Sequence, residues 1–379
     1  MAERVPCIEQ DCSNTILPST GRRTGGLCMP CVHAKARQAE QDYIRKNRRV
    51  VNEFEDVTNP VEALTIIHRP RKRDRLIEWT PHPTPVDELY TNLTEDQQTQ
   101  MLQLAMGEVN NNERCESDIL LCLTAYGTIN RDAALTVMLD RSECYPGILF
   151  HQASEEIRDR LLRQIETDRE NQNHLLLALA WIGDDRVVAQ FATWRASPPS
   201  WRNELYIPPE EYSKDAGWEL DENGRRRDLI LPTAYSLNLG SSTNLSNFQA
   251  TVPLEQKCTR CGYPALKLFD VAPSVFGFAK TASRIQILAC SICPAFGLVH
   301  GKVAEDGRAE MNSEEVFGFF PEDVSDWGGL PENAFSLGKP RSILHAANWS
   351  LPTSFSQLGG HPCWIQDFHY QGARRANAA

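Results

Sequence analysis

From about residue 60 to residue 200, apolar side chains recur every three or four positions. The segments DILLCLTAYG, AALTVMLD, EEIRDRLLRQIE and HLLLALAWIGDDRVVAQFATW all carry this spacing, which predicts amphipathic helices packed on helices. In the last segment an apolar helix should run through Trp181, break at Gly183, take Asp184 or Asp185 as a cap and restart near Arg186. That outline matches one unit of a HEAT-type helical repeat, and LLCLTAYGTINRDAALTVMLD shares part of it; a generic helical bundle fits as well. The Trp and Phe positions of these helices read as core.

The pattern changes after residue 196. SPPSW, IPPEEY and LPTAYSLNLGSSTNLSN bring proline, glycine, serine and asparagine without long apolar periods, so residues 196–257 read as a linker running into irregular or short β structure. Trp194, Trp201, Tyr206, Tyr212 and Trp218 make this stretch dense in aromatic rings. They suit a partner-binding surface and inter-domain packing about equally. Beyond it, KCTRCGYPALKLFD and RIQILACSICPAFGLVHGKV alternate apolar and polar residues, the period of strands. The expected architecture is a multi-domain α+β protein: a zinc finger with its following helix over 1–58, a helical domain over 59–200, and a β-rich domain with a zinc ribbon over 201–379.

Composition agrees with a folded chain of this size. The 379 residues are 41% hydrophobic and 23% charged, which excludes wholesale disorder and exceeds what one core normally serves. No run of about 18 apolar residues occurs, and MAERVPCIEQ lacks the apolar stretch of a signal peptide. A cytoplasmic location without a membrane partner is therefore expected. Residues 1–75 carry 14 Lys/Arg against 10 Asp/Glu within a chain of net charge −11, so the remainder is strongly acidic. That bulk repels nucleic acid and suits a basic protein partner.

Cysteine adds chemistry. Twelve Cys in a cytoplasmic chain point to metal rather than disulfides. Cys7, Cys12, Cys28 and Cys31 stand at C-x4-C-x15-C-x2-C spacing, and two close pairs separated by an excursion supply the tetrahedral corners that zinc requires. The helix-forming run VHAKARQAEQDYIRKNRRVV follows, as in a treble-clef finger, with Cys28 and Cys31 on the turn leading into it; His33 reads as exposed rather than as a ligand. Cys258, Cys261, Cys290 and Cys293 form a second set of two C-x2-C knuckles. Both sets are complete in thiolates, so two structural zinc ions are the expected cofactors. Arg22, Arg23, Arg45, Lys46, Arg48, Arg49, Arg69, Arg71, Lys72, Arg73 and Arg75 could serve phosphate binding. The intervening Glu53, Glu55 and Asp56 and the lack of interleaved aromatics favour a solvated face instead.

The tail QLGGHPCWIQDFHY raises the question of catalysis, because His361, Cys363, Asp367 and His369 lie close in sequence. Adjacent glycines, a proline and a Trp make a rigid packed turn the better reading, and no catalytic residue is assigned. Gly359, Gly360, Pro362, Trp364 and Gln366, with the CTRC and CSIC pairs and GLVHGKVAEDGR, resemble the signature of the YwqG-like family of bacterial proteins over roughly residues 230–370. That resemblance implies a β-rich domain of the kind found at toxin–immunity loci. It implies an immunity protein, not an enzyme, that occludes the active site of a cognate polymorphic, Rhs or type VI secreted toxin, an ADP-ribosyltransferase or nuclease domain being a candidate partner. The competing expectations are a zinc-containing or thiol hydrolase that reverses a toxin modification, acting through His361, Cys363 and Asp367, and a zinc-finger regulator associated with nucleic acid.

Overall fold

The computed structural model describes residues 4–72, 74–111, 117–239, 248–258, 261–273, 284–290, 292–293, 300–312, 335–348 and 357–361. It is a mixed α+β molecule: an N-terminal four-cysteine cluster, a central helical region, and a C-terminal β-rich region carrying a second four-cysteine cluster. It divides into two compact units, residues 1–89 and residues 90–379. Among the described residues no helix is long and apolar enough to cross a membrane.

The first unit opens with a two-stranded antiparallel pair, β1 (Val5–Pro6) and β2 (Thr15–Ile16), then α1 (Pro18–Thr24) and α2 (Met29–Asn47). None of the 19 residues of α2 is buried, so no apolar face of its own holds it in place. Next come β3 (Arg49–Val51), α3 (Pro60–His68) and β4 (Ile77–Trp79), with β3 and β4 paired in parallel. α3 starts where Asn59 accepts a hydrogen bond from Val61 N at 2.9 Å and Pro60 occupies the first turn, a position that needs no N–H donor. The Arg-rich segment is tied down locally. Arg69 and Arg71 both pair with Glu53, Arg75 pairs with Glu40, and the Arg71 guanidinium lies 4.5 Å from the ring centroid of Trp79.

A short α4 (Val86–Thr91) lies at the division. The second unit contains α5 (Glu95–Asn111), α6 (Asp118–Tyr126), α7 (Asp132–Asp140), α8 (Glu155–Gln164), α9 (Gln172–Ile182) and α10 (Asp185–Ala196). Their apolar stripes meet in a core that includes Leu120, Leu123, Leu135, Met138, Leu161, Leu175, Leu179 and Phe191, all essentially inaccessible. The α9–α10 break falls where the sequence predicts it. Gly183 takes φ +54°, a left-handed conformation that glycine adopts without strain, and Asp184 caps α10 by accepting from Val187 N at 2.9 Å. The same carboxylate holds Arg158 of α8 at 2.7 Å.

Of the five aromatic rings in and beside the stretch after residue 196, four take the packing alternative rather than a surface one. The stretch contains two 3-10 turns (Ser200–Glu204 and Pro209–Ala216) and a small hairpin of β5 (Trp218–Leu220) with β6 (Arg226–Asp228). Trp194, Trp201, Tyr212 and Trp218 are buried, whereas Tyr206 is 90% exposed. Each buried indole N–H of Trp201 and Trp218 finds an acceptor: Trp201 donates to Glu166 at 3.2 Å and Trp218 to the Ala180 carbonyl at 2.8 Å. Phe191 packs its ring on both Trp194 and Trp218. The aromatics are mortar between the connecting chain and the helices, because large rings bury the most area where regular structure is scarce.

The remaining strands are β7 (Ala234–Leu239), β8 (Phe248–Lys257), β9 (Pro264–Val271), β10 (Ile285–Cys290), β11 (His300–Val303), β12 (Ala309–Asn312), β13 (Phe335–Arg341) and β14 (Gln357–Leu358). Six form an antiparallel sheet in the order β10-β9-β8-β13-β7-β14, and β11 pairs with β12 in a separate antiparallel hairpin. The sheet and the helices are joined by polar contacts. The Tyr126 hydroxyl lies 2.7 Å from His345 Nδ1, and Asn348 Nδ2 donates to Cys122 Sγ at 3.5 Å.

Candidate metal centres

In the N-terminal cluster the first two cysteines come from the β1–β2 connection and the other two from the start of α2. Cys7 follows β1 directly, its N–H donating to the Asn14 carbonyl at 2.9 Å, and Asp11 closes the turn before Cys12 with φ +64°. Cys28 is the N-cap residue of α2, and Cys31 lies in its first turn. The four Sγ atoms lie within 4.8 Å of one another, with Cys12 and Cys28 sulfurs 3.7 Å apart. Two donors already face the sulfurs: Cys28 N–H reaches Cys7 Sγ at 3.2 Å, and Asn14 Nδ2 reaches Cys28 Sγ at 3.5 Å. Apart from sulfur, the core of this module is only Ile16 with Leu27 against it.

The second cluster sits at one end of the β8-β9-β10 strands. Cys258 and Cys261 occupy the β8–β9 turn, where Cys258 N–H donates to the Tyr263 carbonyl at 2.7 Å and Gly262 N–H to the Cys258 carbonyl at 2.9 Å. Cys290 ends β10, opposite Ala265 of β9, and Cys293 follows it. Cys258 and Cys293 sulfurs are 3.8 Å apart and Cys261 and Cys290 sulfurs 3.4 Å apart. Ile292 and Tyr263 complete this small core, and Ile292 N–H points at Cys290 Sγ at 3.5 Å.

These separations fit a metal. A tetrahedron with metal–sulfur bonds of about 2.3 Å has edges of about 3.8 Å, close to the 3.4–3.8 Å seen here. Disulfides need sulfurs near 2.0 Å, and none of these eight cysteines is joined in one. Electrostatics asks for a cation as well. The backbone of Cys31 holds the Cys28 thiol down to about 6, whereas hydrogen bonds from Cys28 and Cys12 push Cys31 well above the ordinary thiol range. In the second cluster burial drives Cys261 up to about 11 and Cys293 higher still. Crowded thiols share few negative charges until a metal ion neutralises them. Both clusters are therefore consistent with two bound metal ions, held by the eight cysteines that the spacing singled out. His33 is exposed and outside the first set. Sequence reasoning missed Asn14, whose amide orients Cys28; its place two residues after Cys12 was the available signal.

The tail histidine is placed elsewhere. Gly359 and Gly360 take φ of +78° and +72°, and a Cβ on Gly359 would stand 2.1 Å from the Thr233 carbonyl oxygen, so the paired glycines serve a tight turn. His361 then enters the core, 3% exposed, with its ring 4.6 Å from that of Trp181 and its Nδ1 without a hydrogen-bond partner. Burial, with His151 and Arg226 nearby, lowers its pKa to about 4. Pro362, Cys363, Trp364, Gln366, Asp367 and His369 lie outside the described residues, as does Arg73 of the basic segment. Two further cysteines, Cys122 and Cys144, are buried away from both clusters, and burial raises Cys144 to about 12, which leaves it a packing residue rather than a nucleophile.

No family model matches the chain, and no solved structure matches it. A curated relative, uncharacterized protein YpfL of Salmonella typhimurium, is 42% identical over 376 residues, a span covering 98% of this chain and 88% of the relative. Likeness of that degree along nearly the whole length places the chain in the YpfL family.

Proposed function

We propose that both clusters hold zinc as a structural ion and that the protein is a cytoplasmic binder rather than an enzyme, namely an immunity protein that covers the active site of a cognate antibacterial toxin. The observation that carries the reading is the make-up of the two metal-binding sets. Among the described residues each consists of four cysteines, and a zinc ion surrounded by four thiolates keeps no position for a reactive water. Zinc suits soft sulfur donors in a tetrahedron better than magnesium, calcium or manganese does. With chemistry confined to scaffolding, the surface is left to do the work. The acidic excess of the chain, net −11, favours encounter with a basic partner, and the toxin–immunity assignment itself rests on the YwqG-like resemblance of the C-terminal region.

Two observations weigh against the alternatives. His361, the only member of the proposed thiol-hydrolase trio among the described residues, is packed against Trp181 inside the core. Arg69, Arg71 and Arg75 are paired with Glu53 and Glu40, which subtracts them from a phosphate-binding surface. The test is affinity capture of the full-length chain from cells carrying its native locus. Co-purification in equimolar ratio with the C-terminal domain of a secreted toxin, and protection of cells against that domain, is the expected result. Recovery of RNA alone, or turnover of a small substrate by the pure protein, would overturn the reading.

A further inference from the structure

A cavity of about 210 Å³ lies within the helical region, lined by the chain from Gly127 to Asp132 and by Gln152, Ala153 and Ser154. Residues at the N-terminal ends of two helices meet there: α7, nine residues long, begins at Asp132, and α8, ten residues long, is capped by Ser154. Both helix dipoles thus present their positive ends to the same space.

The occupant's chemistry is set by Arg131. It is 7% exposed, one guanidinium nitrogen donates to the His151 carbonyl at 2.6 Å, and its Nε is buried without a hydrogen-bond partner. Among the described residues no carboxylate lies within ion-pair distance of it. Asp132, adjacent in sequence and also on the cavity wall, is engaged elsewhere: its carboxylate accepts from Ser154 N at 3.4 Å and from Asn130 Nδ2 at 3.2 Å. Burial pulls Arg131 down to about 10 from its ordinary 12.5, outweighing the opposing pull of the nearby Asp132 carboxylate, which is the cost of a cation held in the interior without a paired carboxylate. A guanidinium kept for structure alone is ordinarily saturated by carboxylate.

We propose that this cavity receives a small free oxyanion, a phosphate or carboxylate group of a metabolite, with Arg131 as its charged anchor and the α7 and α8 N-termini as the supporting dipoles. The volume admits an ion or a short carboxylic acid and is too small for a nucleotide, since drug-sized ligands fill about 300 Å³ or more. This proposal stands apart from the two metal centres and from the immunity reading.

The experiment is calorimetric titration and thermal melting of the metal-loaded full-length protein with inorganic phosphate and, separately, succinate, at constant ionic strength made up with chloride. Saturable binding of one of them, with a matching rise in Tm, is expected, and which one binds identifies the group. Arg131→Gln should weaken that binding at least about tenfold, the loss of a charge-assisted hydrogen bond. Ala153→Leu, which fills the cavity and leaves Arg131 in place, should abolish it with an unchanged circular dichroism spectrum, and it decides the matter alone if Arg131→Gln does not fold. Absence of saturable binding by either anion, or binding that survives a folded variant of either kind, overturns the proposal.

Discussion

At the scale of single residues, the most informative side chain is His361, because its environment fixes a direction of pH dependence. An unfolded histidine takes up a proton near pH 6.5, while in the fold burial holds His361, and with it His151, down to about 4. Between those values the unfolded chain binds protons that the folded chain refuses, so stability is full above about pH 6.5 and falls as pH drops toward 4. Replacing His361 by Phe keeps a flat ring against Trp181 and removes the unpartnered Nδ1. Denaturant titrations should therefore find the H361F variant at least as stable as the parent at pH 7. At pH 4.5 its loss of stability should be smaller than the parent's by roughly 2 kcal/mol. An unaltered pH profile would show that His361 takes up its proton as readily in the fold as in the unfolded chain. The two four-cysteine sets were legible from spacing because tetrahedral thiolate chemistry imposes a local rule on sequence. His361 and Arg131 were not, since their significance comes from side chains far away in the chain: Trp181 in one case, the His151 carbonyl in the other.

Among the elements, the α9–α10 hairpin shows how a local signal and a distant one can share a residue. Its break was readable from Gly183 and the acidic pair that follows. The sequence did not disclose that Asp184 also neutralises Arg158 on α8, whose side chain is only 10% exposed. Asp184→Ala removes both the cap and the counter-charge and should cost about 1–2 kcal/mol from the cap alone. Asp184→Asn keeps a good capping oxygen but not the charge, so its cost measures the ion pair. Urea midpoints separate the contributions: the difference between the two variants measures the cap, and an Asp184→Asn midpoint equal to the parent's would mean that the pairing with Arg158 adds nothing. The stretch from 200 to 228 was read less well for a physical reason. Aromatic residues in a proline-rich segment look the same in sequence whether they face solvent or a neighbouring helix, and here Phe191 and Ala180 take up Trp218 while Glu166 takes up Trp201.

At the scale of the whole molecule, the two thiol clusters serve regions with little apolar content of their own. The sulfur-rich core of the first has Ile16 and Leu27 as its remaining apolar members, and α2 buries nothing. Binding of a structural zinc contributes about 10–16 kcal/mol in small finger modules, far more than such a core supplies. Cys28→Ser should accordingly halve the metal content measured by mass spectrometry, to one ion per chain. It should also expose residues 5–47 to protease while amide exchange in α6 to α10 stays slow. Cys258→Ser should remove the other ion and loosen β8 to β10 instead. Loss of both ions from either single variant would mean that the clusters are not independent.

β10 has a further consequence. It is the outermost strand of the described sheet, bonded to β9 on one side and also touched by the β11–β12 turn, where Gln286 N–H donates to the Gly307 carbonyl at 2.8 Å, with Ile287 standing 41% exposed along it. A strand in that position is a template for adding another chain, and natural sheets protect such rims with bulges, charge or covering segments. Here the register shifts at Ile287/Leu288, and the strand ends in a cysteine of the second cluster. A metal ion held there would clip that end to the β8–β9 turn, so oxidation of these thiols is expected to loosen the strand and drive the protein toward aggregates, which light scattering would detect.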